Sequence, residues 1–252
     1  MNIKKFLLLI FLSFGALTLN AQQNYFKIVI NIPSCTLKLL YNNNLIKEYP
    51  VGVGYSAKYK TPMGEYKVLS KIIDPIWEHP YDPPGKTRIK NLEQNPLGTR
   101  WIGFHSDGNG YYGMHGTNEP QSIGKFVSHG CVRMQNKAIE EIFDLIANDT
   151  VVSVTYKRYA LFQKSNEIFI RIYPDPYKIM DLDEEEILNE IKTTFSINFE
   201  LNENEFSKAM QDNGYSKKNY KIGIINNFYS NFPYRNKNLY ESQYTEFKKY
   251  MN

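Results

Sequence analysis

Cys131 and His115 are the two residues of this chain best suited to covalent chemistry. A thiol attacks as its thiolate, and a nearby imidazole or aligned backbone amides ease access to that form. His129 stands two residues before Cys131, and His115 stands sixteen residues before it, inside Met114-His115-Gly116-Thr117. Gly116 and Gly130 flank these positions and let the backbone approach a substrate or take dihedrals closed to other residues. A nucleophile, a base and a glycine-flanked set of amides are the parts of an acyl-transfer site. The same side chains permit a rival chemistry. His115, His129 and Cys131 are acceptable zinc ligands, although no closely spaced anchoring pair such as His-x-x-x-His accompanies them.

The elements that must position these residues are mostly strands. Phe26, Ile28 and Ile30 alternate, Leu37 to Tyr41 follows Pro33-Ser34, and Asn42-Asn43-Asn44 turns into Leu45 to Val53. Lys60-Thr61-Pro62-Met63-Gly64 leads into a fourth predicted strand, Glu65 to Ile73. Asp74 to Leu97 holds Pro75, Pro80, Pro83, Pro84 and Pro96 and reads as a long ordered loop or flap. Arg100 to Phe104 and Tyr111 to His115 are short strands separated by Asp107-Gly108-Asn109-Gly110. His115 therefore ends a strand, and a hairpin-like return can bring Cys131 to it. Asn136 is placed to cap a helix whose apolar face is Ala138, Ile139, Ile142, Phe143, Leu145 and Ile146. Thr150 to Tyr156 alternates again and is expected to close the sheet. Beyond Arg158 the pattern changes to a strand, Glu167 to Tyr173, and two helices. The Asp183/Glu186 and Asn202/Glu205 pairs open those helices, and Gly214 provides a stop.

Composition bounds the function. Lys4 and Lys5 precede a short apolar run, Phe6 to Leu12, which continues loosely to Asn20-Ala21-Gln22. This is the pattern of a secretory signal peptide, residues 1–21, and it is too short to read as a spanning helix. No stable membrane anchor is expected after cleavage. The formal charge of +4 falls by two with Lys4 and Lys5, which gives no concentrated basic face and no reason to expect nucleic acid as a partner. In an exported chain two cysteines commonly pair, so a Cys35–Cys131 disulfide is one reading and a reactive Cys131 with a packed Cys35 is the other.

Several stretches together resemble one family. His115-Gly116, followed after a gap by Ser128-His129-Gly130-Cys131-Val132-Arg133, is similar to the signature of the L,D-transpeptidase catalytic domain (YkuD-type). The resemblance extends to Tyr49-Pro50-Val51-Gly52-Val53-Gly54, Thr61-Pro62-Met63-Gly64-Glu65-Tyr66 and Asn95-Pro96-Leu97-Gly98, and covers roughly Tyr25 to Tyr156. It implies a mainly β fold, a β-sandwich catalytic domain with one packed helix over residues 24–158. A small α+β accessory region, residues 159–252, follows.

The resemblance also implies roles. Cys131 matches the nucleophile and His115 the base, with the Gly116 carbonyl orienting the imidazole in place of an acid. Backbone amides around His129, Gly130 and Cys131 are expected to form the oxyanion hole. Such enzymes act on peptidoglycan stem peptides in the bacterial periplasm or cell envelope. They cleave the bond before a terminal D-Ala and pass the acyl group to an amine, and no cofactor is expected. Hydrolysis of the same acyl-enzyme (an L,D-carboxypeptidase) is the nearest alternative, and an inactive peptidoglycan-binding module is a further one. Arg133 either binds a stem-peptide carboxylate or ties down its loop, and Ser128 is a donor to the site or a turn residue. The His129 ring either serves catalysis or holds the loop. His79, His105, Trp77 and Trp101 read as ordinary packing residues.

Overall fold

The computed structural model describes residues 25–79, 82–83, 85–108, 110–195 and 199–225. The expected signal peptide lies outside these residues, as do Pro80, Pro84 and Asn109. The chain is mainly β, as expected.

Its first sheet has the order β3-β2-β1-β13-β5. The strands are β1 (Phe26–Asn31), β2 (Thr36–Tyr41), β3 (Asn44–Pro50), β5 (Gly64–Lys67) and β13 (Val151–Thr155). The alternation in β1 buries Ile28 and Ile30 completely, and each lies beside a buried valine of β13, Val152 and Val154. β13 runs parallel to β1 and does not close the sheet. It is interior, because β5 pairs with its other side and takes the edge.

The predicted single strand Glu65 to Ile73 is in fact two. It breaks at Val68-Leu69, and the second part, β6 (Ser70–Ile73), joins a different sheet. The amide of Val68 donates to the carbonyl of Thr150, just before β13 of the first sheet, and the amide of Leu69 donates to Gly103 in the second. Val68 is buried and Leu69 is exposed, so the chain turns a corner between the two layers there. The second sheet has the order β12-β10-β9-β6, with β9 (Arg100–Ser106), β10 (Tyr111–His115) and β12 (Val132–Arg133).

The predicted helix is α1 (Asn136–Leu145), packed on β9 and β10 through the buried Ile139 and Ile142. Its N-cap is Gln135, not Asn136, which begins the helix and sends its side chain elsewhere. The Lys71 ammonium donates to the Ile146 carbonyl at 2.6 Å, where a cation complements the helix C-terminus. Among the described residues of Asp74 to Leu97 the chain is largely loop, and β7 (Trp77–Glu78) pairs antiparallel with β8 (Arg88–Ile89). Buried Asn95 ties its base, donating to the Pro75 carbonyl at 2.6 Å.

The C-terminal region forms a second sheet system of order β14-β15-β17-β16. It comprises β14 (Tyr159–Lys164), β15 (Glu167–Ile172), β16 (Phe199–Leu201) and β17 (Asn219–Ile225), with α2 (Glu184–Phe195) and α3 (Glu203–Met210). Asp183 accepts from the amides of Glu185 and Glu186, and Asn202 accepts from Glu205, so both expected caps form. Ile168, Ile170, Ile187, Ile191, Phe206 and Ile222 build its own core. Sequence patterning identifies β15 alone among the four strands.

Candidate active site

The second sheet has two unlike faces. Ile102, Phe104, Met114 and Val132 are buried on one face, and Met134 continues that row just past β12. Strand alternation then places Trp101, His115 and Arg133 on the other face, together with Cys131, which precedes β12 by one residue. β10 and β12 are parallel, with Met114 beside Val132 and His115 beside Arg133. Cys131 thus lies next to Gly113, one pleat repeat (~7 Å along the strand) from His115 and on its face. The sixteen-residue gap is spent on the connection between two neighbouring parallel strands, a crossover and not a hairpin.

His115 is buried, and its Nδ1 lies 2.6 Å from the Gly116 carbonyl. A carbonyl can only accept, so Nδ1 carries the proton and Nε2 is left with its lone pair. The tautomer is set by the backbone. The same peptide unit is held at its other end, because the Thr117 amide donates to the Asn136 side-chain oxygen at 3.0 Å. A planar peptide gripped at both its C=O and its N–H has little freedom to turn. Gly98, at φ +60, and Gly116 leave room for this, since a Cβ on either would lie 2.1 Å from the Asn136 oxygen. Trp101 stacks on the imidazole with ring centroids 6.0 Å apart. Its indole lies over Gly113 and Gly103, where a Cβ would come within 3 Å of it.

Burial lowers the His115 pKa from its ordinary value to about 4, with Arg133 adding to the fall and the Gly116 carbonyl opposing it. Burial also raises the Cys131 pKa, while a backbone hydrogen bond from Gly113 and the Arg133 charge pull it down. Both shifts favour the uncharged forms of the two side chains. Cys131 is of intermediate exposure, and its sulfur lies 3.8 Å from the Tyr111 carbonyl. Cys35 and Cys131 are both free thiols. Cys35 is buried in the first core, in the turn before β2, where burial pushes its pKa up to about 12.

The loop carrying Cys131 is braced by Ser128. Its hydroxyl donates to the Cys131 carbonyl at 2.5 Å and accepts from the Gly130 amide at 3.1 Å. The Gly130 N–H is thus engaged within the loop, whereas the His129 and Cys131 amides have no hydrogen-bond partner among the described residues. Gly130 has φ +122, and a Cβ there would meet the Tyr112 ring at 2.7 Å. The exposed His129 ring packs edge-on against Tyr59 at 4.6 Å and Tyr55 at 5.7 Å. The Arg133 guanidinium pairs with the chain's own Glu119 at 2.6 Å. Among the described residues, no three His, Cys, Asp or Glu side chains gather as a metal site.

Sequence reasoning brought Cys131, His115, Gly116, Ser128, Gly130 and Arg133 to one place. It missed Asn136, assigned to a helix cap, and Trp101, assigned to packing. Glu119 carried no signal. His79 lies away from this face, against Trp77, and His105 sits between the rings of Tyr66 and Tyr112.

A profile of the L,D-transpeptidase catalytic domain matches residues 25–154. YqjB of Bacillus subtilis, which carries the L,D-transpeptidase name, is 38% identical over 134 residues, covering 51% of this chain and 70% of that protein. YkuD of Bacillus licheniformis, similarly named, is 32% identical over 130 residues, 52% of this chain and 66% of its own length. Among solved structures, L,D-transpeptidase 3 from Mycobacterium tuberculosis aligns with a TM-score of 0.43 and 20% identity, covering 52% of this chain and 61% of that one. Among the described residues, no helix is long and apolar enough to cross a membrane. By the match over residues 25–154 and the likeness to YqjB, the chain belongs to the L,D-transpeptidase catalytic domain family.

Proposed function

We propose that the protein is an exported cysteine L,D-transpeptidase of the bacterial cell envelope that acts on peptidoglycan stem peptides. The supporting observation is the fixed tautomer of His115, with Nδ1 committed to the Gly116 carbonyl and Nε2 left with its lone pair, on a strand that runs directly beside the one Cys131 leads into. In this reading the Cys131 sulfur attacks the carbonyl carbon before the terminal D-Ala. His115 Nε2 takes the thiol proton as the bond forms, then gives it to the departing D-Ala amine. The amides of His129 and Cys131 hold the oxyanion, a contribution of about 3 kcal/mol for each effective donor. An acceptor amine then attacks the thioester carbonyl, loses its proton to His115, and releases the thiol.

Arg133 serves here as a fixed positive charge beside the site, with Glu119 as its partner, and the His129 ring serves the wall of the loop. The residue span 24–158 is the catalytic domain and 159–252 the accessory region, supported by two buried clusters, of which the first draws Tyr177 from the second span. Residues 1–21 are the signal peptide that exports the chain.

The test is incubation of the chain with a stem tetrapeptide, with and without an acceptor amine, followed by mass analysis. The expected intermediate is a tripeptidyl adduct on Cys131, absent from Cys131→Ala, and the expected product is the amide with the acceptor. Free tripeptide as the sole product at saturating acceptor would make the protein an L,D-carboxypeptidase.

A further inference from the structure

Among the described residues, the C-terminal region contributes one residue to the catalytic core. Tyr177 follows β15 in the chain, yet it is 3% exposed and belongs to the first buried cluster, not the second. Its hydroxyl accepts from the Thr61 amide at 2.9 Å. The Thr61 hydroxyl in turn accepts from the Gly54 amide at 3.0 Å. A Cβ on Gly54 would lie 2.8 Å from the Tyr177 oxygen, so the tyrosine occupies the space that this glycine leaves. Both ends of the segment from Gly54 to Thr61 therefore converge on one phenol.

That segment is a wall of the nucleophile loop. β4 (Val53–Gly54) pairs with β11 (Phe126–Ser128), and the Tyr55 amide donates to the Ser128 carbonyl at 3.1 Å. The rings of Tyr55 and Tyr59 hold the His129 ring, and the Lys60 carbonyl lies 3.0 Å from where a Gly130 Cβ would be. Tyr177 is itself held firmly. Its amide donates to the Tyr156 hydroxyl at 3.0 Å, and that hydroxyl donates to Asp175. Asp175 also accepts from the amides of Ile179 and Met180, and Arg158 donates to the Met180 carbonyl at 2.8 Å. The buttress is thus anchored both in the residues just after β13 and in the accessory region.

We infer that Tyr177 is a positioning residue of the active site, through which the C-terminal region holds the wall Gly54–Thr61, and with it the loop His129-Gly130-Cys131, in the geometry for acylation. The kinetic part of this inference rests on the proposed transpeptidase reading, whereas the mechanical part does not.

Tyr177→Phe removes one oxygen and keeps the ring. Amide hydrogen exchange of the whole chain should rise about tenfold or more in peptides covering Gly54–Thr61 and Ser128–Cys131, with β1, β2 and α1 unchanged. The rate of Cys131 acylation by a stem tetrapeptide should fall about tenfold, the size set by leaving one buried N–H without its acceptor. Tyr215→Phe, a change at an exposed tyrosine of the same region, should alter neither. Thr61→Val, made from the catalytic side, should loosen the same two stretches, and it serves where Tyr177→Phe folds poorly. Unchanged exchange at Ser128–Cys131 in a folded variant overturns the inference, as does acylation within twofold of the parent. A parent chain that the tetrapeptide never acylates refutes the reaction assignment instead, and the exchange result still decides the role of Tyr177.

Discussion

The buried His115 makes a quantitative prediction about stability that does not depend on any substrate. An unfolded histidine has a pKa of about 6.5, while burial holds His115 at about 4 in the fold. Between these values the unfolded chain binds a proton that the folded chain refuses. Stability from this group is therefore fully present above about pH 6.5 and is lost as the pH falls toward 4. The slope in that window is about 1.4 kcal/mol per pH unit. From pH 7.5 to pH 5 the loss is about 2 kcal/mol, and the full shift is worth about 3 kcal/mol. The interval stops at pH 5 because the carboxylates held low in the fold, Asp175 and Glu190 among them, add their own losses only in more acid solution. Both tryptophans lie in the catalytic region, and Trp101 touches the imidazole, so urea unfolding followed by fluorescence reports on the relevant part. His115→Gln, which can still donate to the Gly116 carbonyl, should show a stability difference from the parent that shrinks by about 2 kcal/mol between pH 7.5 and 5. A difference constant across that range would mean that His115 titrates normally in the fold and is not held neutral by burial.

Three further outcomes are expected. His115→Ala should retain its fold at neutral pH yet lose about 100- to 10,000-fold in Cys131 acylation, measured by mass of the adduct. Asn136→Ala frees the Thr117 amide and the peptide that orients His115, so acylation should fall at least tenfold and urea stability by about 1–3 kcal/mol. Thiol counting should find one readily modified cysteine in the native chain and two after denaturation, with Cys131 the first to react, and a stable Cys35–Cys131 bridge in active protein would contradict this.

The arrangement of the candidate site was legible in the residues because it is local. His115-Gly116 supplies an imidazole and its orienting carbonyl within one peptide unit, and Ser128 braces the turn to Cys131 within three residues. Periodicity also located the strands bearing Ile28 and Ile30 and the helix bearing Ile139 and Ile142, since one-sided burial writes its period into the sequence. What periodicity does not encode is which strands become neighbours. Thr150 to Tyr156 alternates equally well at an edge or in the interior, and only the arrival of β5 on its far side made β13 central. The run Glu65 to Ile73 has no turn signature, and its division follows from Val68 and Leu69 bonding to different sheets. Asn136 looked like a cap because its nearest sequence partners are helical, whereas its oxygen reaches back nineteen residues to Thr117. Trp101 acquires its role only from the register that sets it beside His115, and Tyr177 only from a docking that crosses more than a hundred residues to Thr61. Local chemistry and amphipathic period are properties of neighbours along the chain. Pairing, register and docking are properties of the whole packed molecule, where burial of each surface depends on which other surface comes to cover it.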